Sequence, residues 1–255
     1  MPENGVFHNL ILAKIKTLYP GHAEQIMHAF WGVGQMSFVK HAIFVGEDAP
    51  PLRSYEAIAE YILARLDIEE LMLSRGVVDA LDHSSNKFGV GGKLGIDATG
   101  AMVAKHTKEL LSDAYLLQKF QDKASEITHL KQYFVHTANP ITLLKLQKER
   151  SVKELFEACK TLYKHTKIII AVDDANNDLD NLYMLVWRVV NNIDANRDFY
   201  FYDKTLCVDT TNKNALDGFT RRWPDDVSCT PEVLDALVAR GLLEIDADFK
   251  RKFLL

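Results

Sequence analysis

His41-Ala-Ile-Phe-Val-Gly-Glu-Asp48 and Lys167-Ile-Ile-Ile-Ala-Val-Asp-Asp174 read as one segment used twice, at a shift of 167 − 41 = 126. Each is a short apolar run ending in an acidic pair, the pattern of a strand buried on both faces of a parallel sheet. The downstream elements agree in order. A helix over Ser54 to Leu66, with Tyr55, Ile58, Ala59, Ile62, Leu63 and Leu66 on one face, answers to one over Asp180 to Ile193, with Leu182, Tyr183, Val186, Val189, Val190 and Ile193 on one face. Each is followed by an aspartate, Asp67 or Asp194, and then by a strand. The loop Leu81-Asp-His-Ser-Ser-Asn-Lys87 resembles Val208-Asp-Thr-Thr-Asn-Lys213. A fixed shift that carries element order and helix stripe together marks a duplication. Strands alternating with helices then predict an α/β fold of two tandem, related open sheets, mostly parallel and flanked by helices.

Outward from that pair, Asn9 to Lys16 reads as a strand closed by Tyr19-Pro20-Gly21, and Ile26, Met27, Phe30 and Trp31 as a helix face. A short strand at Leu71 to Leu73 leads into Gly76 to Gly100, read as a long loop holding glycines 89, 91, 92 and 95. A loop of that length is usually functional or covered by a partner. Thr107 to Ile127 reads as a helix capped by Thr107 that bridges the halves, giving a first unit at 1–105, a bridge at 106–127 and a second unit at 128–255. In the second unit come a strand at Leu130 to Val135, a capping box at Ser151-Val-Lys-Glu154, a strand at Phe199 to Tyr202 and a helix from Thr230-Pro231 to Gly241.

Composition narrows the function classes. The 255 residues are 47% hydrophobic and 25% charged, a folded globular balance, and 30 basic against 35 acidic side chains give a net charge of −5. No stretch concentrates lysine and arginine enough to track a phosphate backbone, so no nucleic-acid partner is expected. Apolar runs such as Ile168 to Val172 are strand-sized, far short of the roughly 20 residues of a membrane span, so none is expected. Cys159, Cys207 and Cys229 lack CxxC spacing and read as small core hydrophobes. With no secretory pattern at Met1 to Gly5, a cytoplasmic location is expected.

Chemistry is harder to find. Gly89-Val-Gly-Gly-Lys-Leu94 suggests a phosphate cradle, but Lys93 is followed by leucine and the stretch follows a loop, so a conformational role is preferred. Glu47-Asp48 and Asp173-Asp174 end parallel strands, where a divalent cation or a nucleotide phosphate is conceivable, though capping of the next turn is preferred. His22 and His28 point to different faces of one helix, and no GxSxG elbow is present. Trp31, Trp187 and Trp223 read as packing residues.

One resemblance organises these fragments. Gly5-Val-Phe-His-Asn9, Tyr19-Pro-Gly-His-Ala23, Gln25-Ile-Met-His-Ala29, Trp31-Gly-Val-Gly-Gln35 and Gly92-Lys-Leu-Gly-Ile-Asp-Ala-Thr99, in that order, resemble the C-terminal part of UbiD-family decarboxylases, the Trp-Gly-x-Gly-Gln segment being similar to the menaquinone-biosynthesis branch. The resemblance implies a carboxy-lyase for aromatic or α,β-unsaturated acids. It places prenylated FMN, a divalent metal (manganese or magnesium) and the catalytic residues in an upstream flavin-binding domain, with no cofactor or catalytic residue on this chain. It further implies a homo-oligomer, and it marks Leu81, Asp82, His83, Phe88, Lys93, Asp97 and Thr99 as a loop that lines the substrate cleft or docks the flavin-binding domain. The family's Gly-Leu-Asp-Ala-Thr motif with a following Trp-Pro reads as split here between Gly95-Ile-Asp-Ala-Thr99 and Asp217-Gly-Phe-Thr-Arg-Arg-Trp-Pro224, so the second half reads as a degenerate copy.

Overall fold

The computed structural model describes residues 9–104, 111–226 and 229–253. The first half runs β1 (Leu10–Lys14), α1 (His22–Gly32), β2 (His41–Val45), α2 (Tyr55–Arg65), β3 (Met72–Val77) and β4 (Val90–Ala98). The second runs α3 (Asp113–Gln121), β5 (Ile127–Tyr133), β6 (Ile141–Leu146), α4 (Val152–Cys159), β7 (Ile168–Asp173), α5 (Leu182–Asn192), β8 (Phe199–Tyr202) and β9 (Thr205–Asp209), followed by α6 (Pro231–Ala239) and α7 (Ala247–Phe253).

The strand orders are β1-β2-β4-β3 and β5-β6-β7-β9-β8. In both sheets the first two inter-strand steps of the shared unit are parallel and the last is antiparallel, so β6-β7-β9-β8 repeats β1-β2-β4-β3 and β5 is an added edge strand. The two related, mostly parallel sheets expected from the repeat are present. Helices cover both faces. On β2, Phe44 packs with Met27 of α1, while its neighbour Val45 packs with Ile58 and Tyr61 of α2. On β7, Ile169 and Ala171 pack with α3 and α4, while Val172 packs with Leu185 of α5. Each fully buried Leu, Ile or Phe in these layers contributes about 1.5–3 kcal/mol.

The shift between copies is corrected by one residue. His41 pairs with Leu94, as Ile168 pairs with Leu206, and α2 maps on α5 end to end, so the offset of the strand-helix segment is 168 − 41 = 127. A shift of 126 turns Phe44 and Val45 to the wrong layers, because side chains alternate faces along a strand. The loop equivalence fails for the same reason. Leu94 on Leu206 sets Ile96-Asp97-Ala98-Thr99 on Val208-Asp209-Thr210-Thr211, and Leu81 to Lys87 has no counterpart. The second copy thus keeps the Asp-x-Thr turn: Thr99 N donates to Asp97 Oδ1 at 2.8 Å and Thr211 N to Asp209 Oδ1 at 2.9 Å.

Other boundaries also move. Gly76 to Gly100 is not one loop, because β3 runs through Val77 and β4 occupies Val90–Ala98 as an inner strand. Three glycines and a lysine hide that strand from a pattern search. The helix expected over Thr107 to Ile127 is shorter. Thr107 lies outside the described residues, the side chain of Ser112 caps α3, and Ile127 begins β5. The Ser151–Glu154 capping box is present as expected. Cys159 and Cys207 are buried, their thiols pushed up to about 12 by burial, whereas Cys229 is exposed and not a core residue. Among the described residues no helix is long and apolar enough to cross a membrane.

Candidate functional site

Residues 78–89, between β3 and β4, fold over the junction of the two halves. Asp82 sits at its centre, with Oδ1 2.8 Å from Lys40 Nζ, both side chains withdrawn from solvent. Ser84 Oγ accepts from Lys40 Nζ and lies 3.0 Å from both Asp82 Oδ1 and Ile193 O, the carbonyl just past α5. Burial alone raises a carboxyl, but the Lys40 ammonium and the Ser85 hydrogen bonds outweigh it and hold Asp82 well below the usual carboxylate range.

The second half grips the loop's backbone. Arg221 Nη1 donates to Ser85 O at 2.6 Å and its Nη2 to Asp82 O at 3.0 Å. Arg197 Nη1 donates to Ser84 O at 2.7 Å and to Asn86 Oδ1 at 2.6 Å. Its Nε and Nη2 hold both oxygens of Asp198 at 2.7 Å, a bidentate pair that fixes the guanidinium plane. His83 stands edge-on to Trp223 with centroids 4.7 Å apart, and its Nε2 is 3.3 Å from Asn192 Oδ1; burial lowers its pKa.

Lys93 is not near any anion cradle. It is 1% exposed, and its Nζ donates to Ser37 O at 2.7 Å, Val39 O at 2.8 Å and Val77 O at 2.5 Å. Burial and the neighbouring Lys40 charge bring its pKa down to about 8. The glycines around it serve close approach rather than phosphate binding. A Cβ on Gly92 would lie 2.6 Å from the backbone nitrogens of Ala195 and Asn196, and one on Gly91 would overlap Ser85 Oγ. The run Gly91-Gly92 is what lets the segment after α5 press on β4.

Of the seven residues marked in the sequence, Asp82 and His83 are thus brought to the junction, while Lys93 is buried within the first half, near enough to feel the Lys40 and Asp82 charges. Leu81 and Phe88 stand on the surface, 89% and 66% exposed, and Asp97 and Thr99 form the turn that ends β4. The sequence reading missed Lys40, His41, Ser84, Asn139, Arg197 and Arg221. Lys40-His41 directly before an apolar strand was the available signal, since a buried lysine needs a partner.

Three of the four residues of the acidic pairs are engaged within the fold. Asp48 accepts from Tyr61 Oη at 2.7 Å, Asp173 from Asn212 N at 2.7 Å and Asp174 from Thr128 Oγ1 at 2.6 Å. At the same end of the second sheet a cleft of about 180 Å³ is lined by Arg197, Asp198, Asp209, Lys213 and Asp217. Lys213 Nζ is 3.2 Å from Asp209 and Lys148 Nζ 2.5 Å from Asp217, so these charges neutralise one another. Among the described residues no group of three or more His, Cys, Asp and Glu is arranged to hold a metal ion. The arrangement positions surfaces: Lys40, Asp82, Arg197 and Arg221 are each tied to another part of the chain.

The geometry defines a duplicated α/β scaffold whose halves are locked by an inserted loop. The sequence matches the 3-octaprenyl-4-hydroxybenzoate carboxy-lyase C-terminal domain over residues 1–98 and 105–216, and the chain belongs to that family. An uncharacterized protein of Helicobacter pylori is 52% identical over 254 residues, 99% of this chain and 41% of that protein, so the chain spans well under half of that relative's length. An uncharacterized protein of Archaeoglobus fulgidus is 37% identical over 101 residues, 39% of this chain and 21% of that protein. Among solved structures, the chain is similar to an evolved dimeric form of a UbiD-class enzyme from Pelotomaculum thermopropionicum in complex with prFMN, at TM-score 0.40 and 12% identity over 66% of this chain and 42% of that one. It is also similar to vanillic acid decarboxylase from Sedimentibacter hydroxybenzoicus, at TM-score 0.39 and 10% identity over 67% of this chain and 44% of that one.

Proposed function

We propose that this chain is the supporting C-terminal region of a UbiD-type non-oxidative carboxy-lyase that acts on an aromatic acid, with quinone biosynthesis, of the menaquinone kind, as its pathway. The observation that carries the reading is the family match across both halves, joined to a relative more than twice as long that shares the whole chain. Prenylated FMN and the divalent metal belong in this reading to a flavin-binding domain outside the 255 residues. The chain's own part is to hold that domain and to assemble the enzyme into a homo-oligomer. The exposed Leu81 and Phe88, on a loop whose backbone is clamped by Arg197 and Arg221, present apolar side chains to meet it.

Turnover tests the proposal. With prenylated FMN, Mn²⁺ and a panel of aromatic acids, the chain alone releases no CO₂, and release begins when the remaining part of the long Helicobacter pylori relative is supplied in trans. Decarboxylation by the chain alone, or none with both parts present and associated, contradicts it. A second reading, a binding module without catalysis, is favoured by the engagement of Lys40, Asp82, Arg197 and Arg221 within the chain, and it predicts association in trans with no turnover.

A further inference from the structure

The contacts between the halves are reciprocal. With α2 set on α5, Leu63 corresponds to Val190 and Leu66 to Ile193. The last carbonyls of a helix lack intrahelical partners, and here two at the end of each helix are met from the other half. Asn139 Nδ2, just before β6, donates to Leu63 O at 2.8 Å and Leu66 O at 2.7 Å. In the opposite direction, His41 Nε2, at the start of β2, is 3.1 Å from Val190 O, and Ser84 Oγ is 3.0 Å from Ile193 O. Asn9, just before β1, bonds Asn191 near the end of α5. Strand starts of each half therefore meet the helix end of the other.

The reciprocity extends past the helices. Ile68 after α2 and Ala195 after α5, equivalent by the same offset, are both buried. The turn after α5 presses on Gly92 of β4, and Asp67 and Glu69, in the turn after α2, act electrostatically on Lys167 before β7, the counterpart of Lys40. Between them lies one apolar cluster drawn from both copies, with Leu63, Leu66 and Ile68 on one side and Ile168, Ile193 and Val208 on the other.

An interface in which patch i meets patch j and j meets i is isologous, the geometry of a two-fold dimer. We infer that the two halves form a pseudo-two-fold dimer held in one chain, the second copy being the binding partner of the first through reciprocal capping of α2 and α5. The partner this surface fits is another copy of its own fold, and here it is already supplied covalently.

The test is to cut the chain without removing anything. A specific protease site placed between Ala104 and Leu111 of the full chain is cleaved under native conditions, and the product is sized at micromolar and nanomolar concentrations. The halves are expected to persist as one 1:1 species at micromolar concentration. Ser84→Ala, which strips Ile193 O and the Lys40–Asp82 pair of a hydroxyl, and Asn139→Ala, which strips Leu63 O and Leu66 O, are each expected to weaken the association of the cut chain by at least roughly 5-fold, the lower bound for one buried unmet carbonyl. In the uncut chain either substitution is expected to raise amide exchange in both halves at once. The inference is overturned if the cut wild-type chain does not persist as one species, or if either substitution leaves association and exchange unchanged.

Discussion

The two copies differ most between their last two strands. The second joins β8 to β9 through Asp203 and Lys204 alone, with Asp203 at φ 51°, whereas the first spends residues 78–89 on the same connection. A two-residue turn keeps a hairpin in register and does nothing else. The longer segment carries Asp82, Ser84 and Ser85 to the junction, where Lys40, Arg197 and Arg221 hold it. The same scaffold therefore yields a copy with a plain hairpin and a copy with a loop that its neighbour grips. The difference is an insertion rather than a change of core.

Equivalent positions sharpen the comparison. Lys93 in β4 corresponds to Thr205 in β9, whose Oγ1 lies 3.0 Å from both Tyr163 O and Thr166 O. Lys93→Met leaves three carbonyls without their ammonium and is expected to cost about 3–5 kcal/mol, against about 1–3 kcal/mol for Thr205→Val. Urea unfolding of the two variants measures this, and equal losses would break the asymmetry drawn between the copies.

A smaller effect is expected at Gly92. Gly92→Ala drives a Cβ into the backbone after α5 and is expected to cost about 1–3 kcal/mol, while Gly100→Ala, which has nothing within 4 Å, changes stability by less than about 0.5 kcal/mol. Thermal unfolding of the pair separates close approach from any general intolerance of the glycine-rich stretch.

The larger part of the pH dependence comes from His41, buried against Val190 O, and His83, also lowered by burial, adds to it with the same sign. Burial, then the Lys40 charge, take the pKa of His41 down to about 3. Between that value and the ordinary 6.5 the unfolded chain binds a proton that the folded chain does not, so stability rises with pH through this window and is lost as pH falls from 6.5 toward 3. The native carboxylate of Asp82, held low, adds its own loss only below about pH 4. His41→Gln is expected to flatten the slope between pH 6.5 and 4, measured by urea midpoints along a pH series. An unchanged slope would remove His41 from the account.

The shared turns set a mild change against a stronger one. Asp97→Ala, at a partly exposed turn, is expected to cost about 0.5–1 kcal/mol. Asp209→Ala, which strips buried Lys213 of a carboxylate 3.2 Å away, is expected to cost about 2–4 kcal/mol by denaturant titration.

Much of this was legible in the sequence. Ile168 to Val172 and the stripe of α2 announce themselves because apolar burial leaves a period, and the duplication followed from their order. β4 was hidden because its glycines and Lys93 answer to contacts from β3, the 78–89 loop and the segment after α5, all remote in sequence. The one-residue error in the shift arose because Lys167 and His41 both precede apolar runs, and only strand pairing fixes which side chains share a face. Asp82, His83 and Lys93 were marked from the family resemblance, but Lys40, Arg197 and Arg221, which hold Asp82 and its loop, were not. A salt bridge that closes across more than forty residues leaves no local trace.

The central claim is that the inserted loop and the reciprocal caps make two copies into one cooperative body. Site-resolved hydrogen exchange along a denaturant series reads this directly, following amides of β2 in the first half and β7 in the second. The account predicts that both strands open with the same free energy and the same denaturant slope, in one global transition. Two transitions, with β2 opening while β7 stays protected, would contradict it.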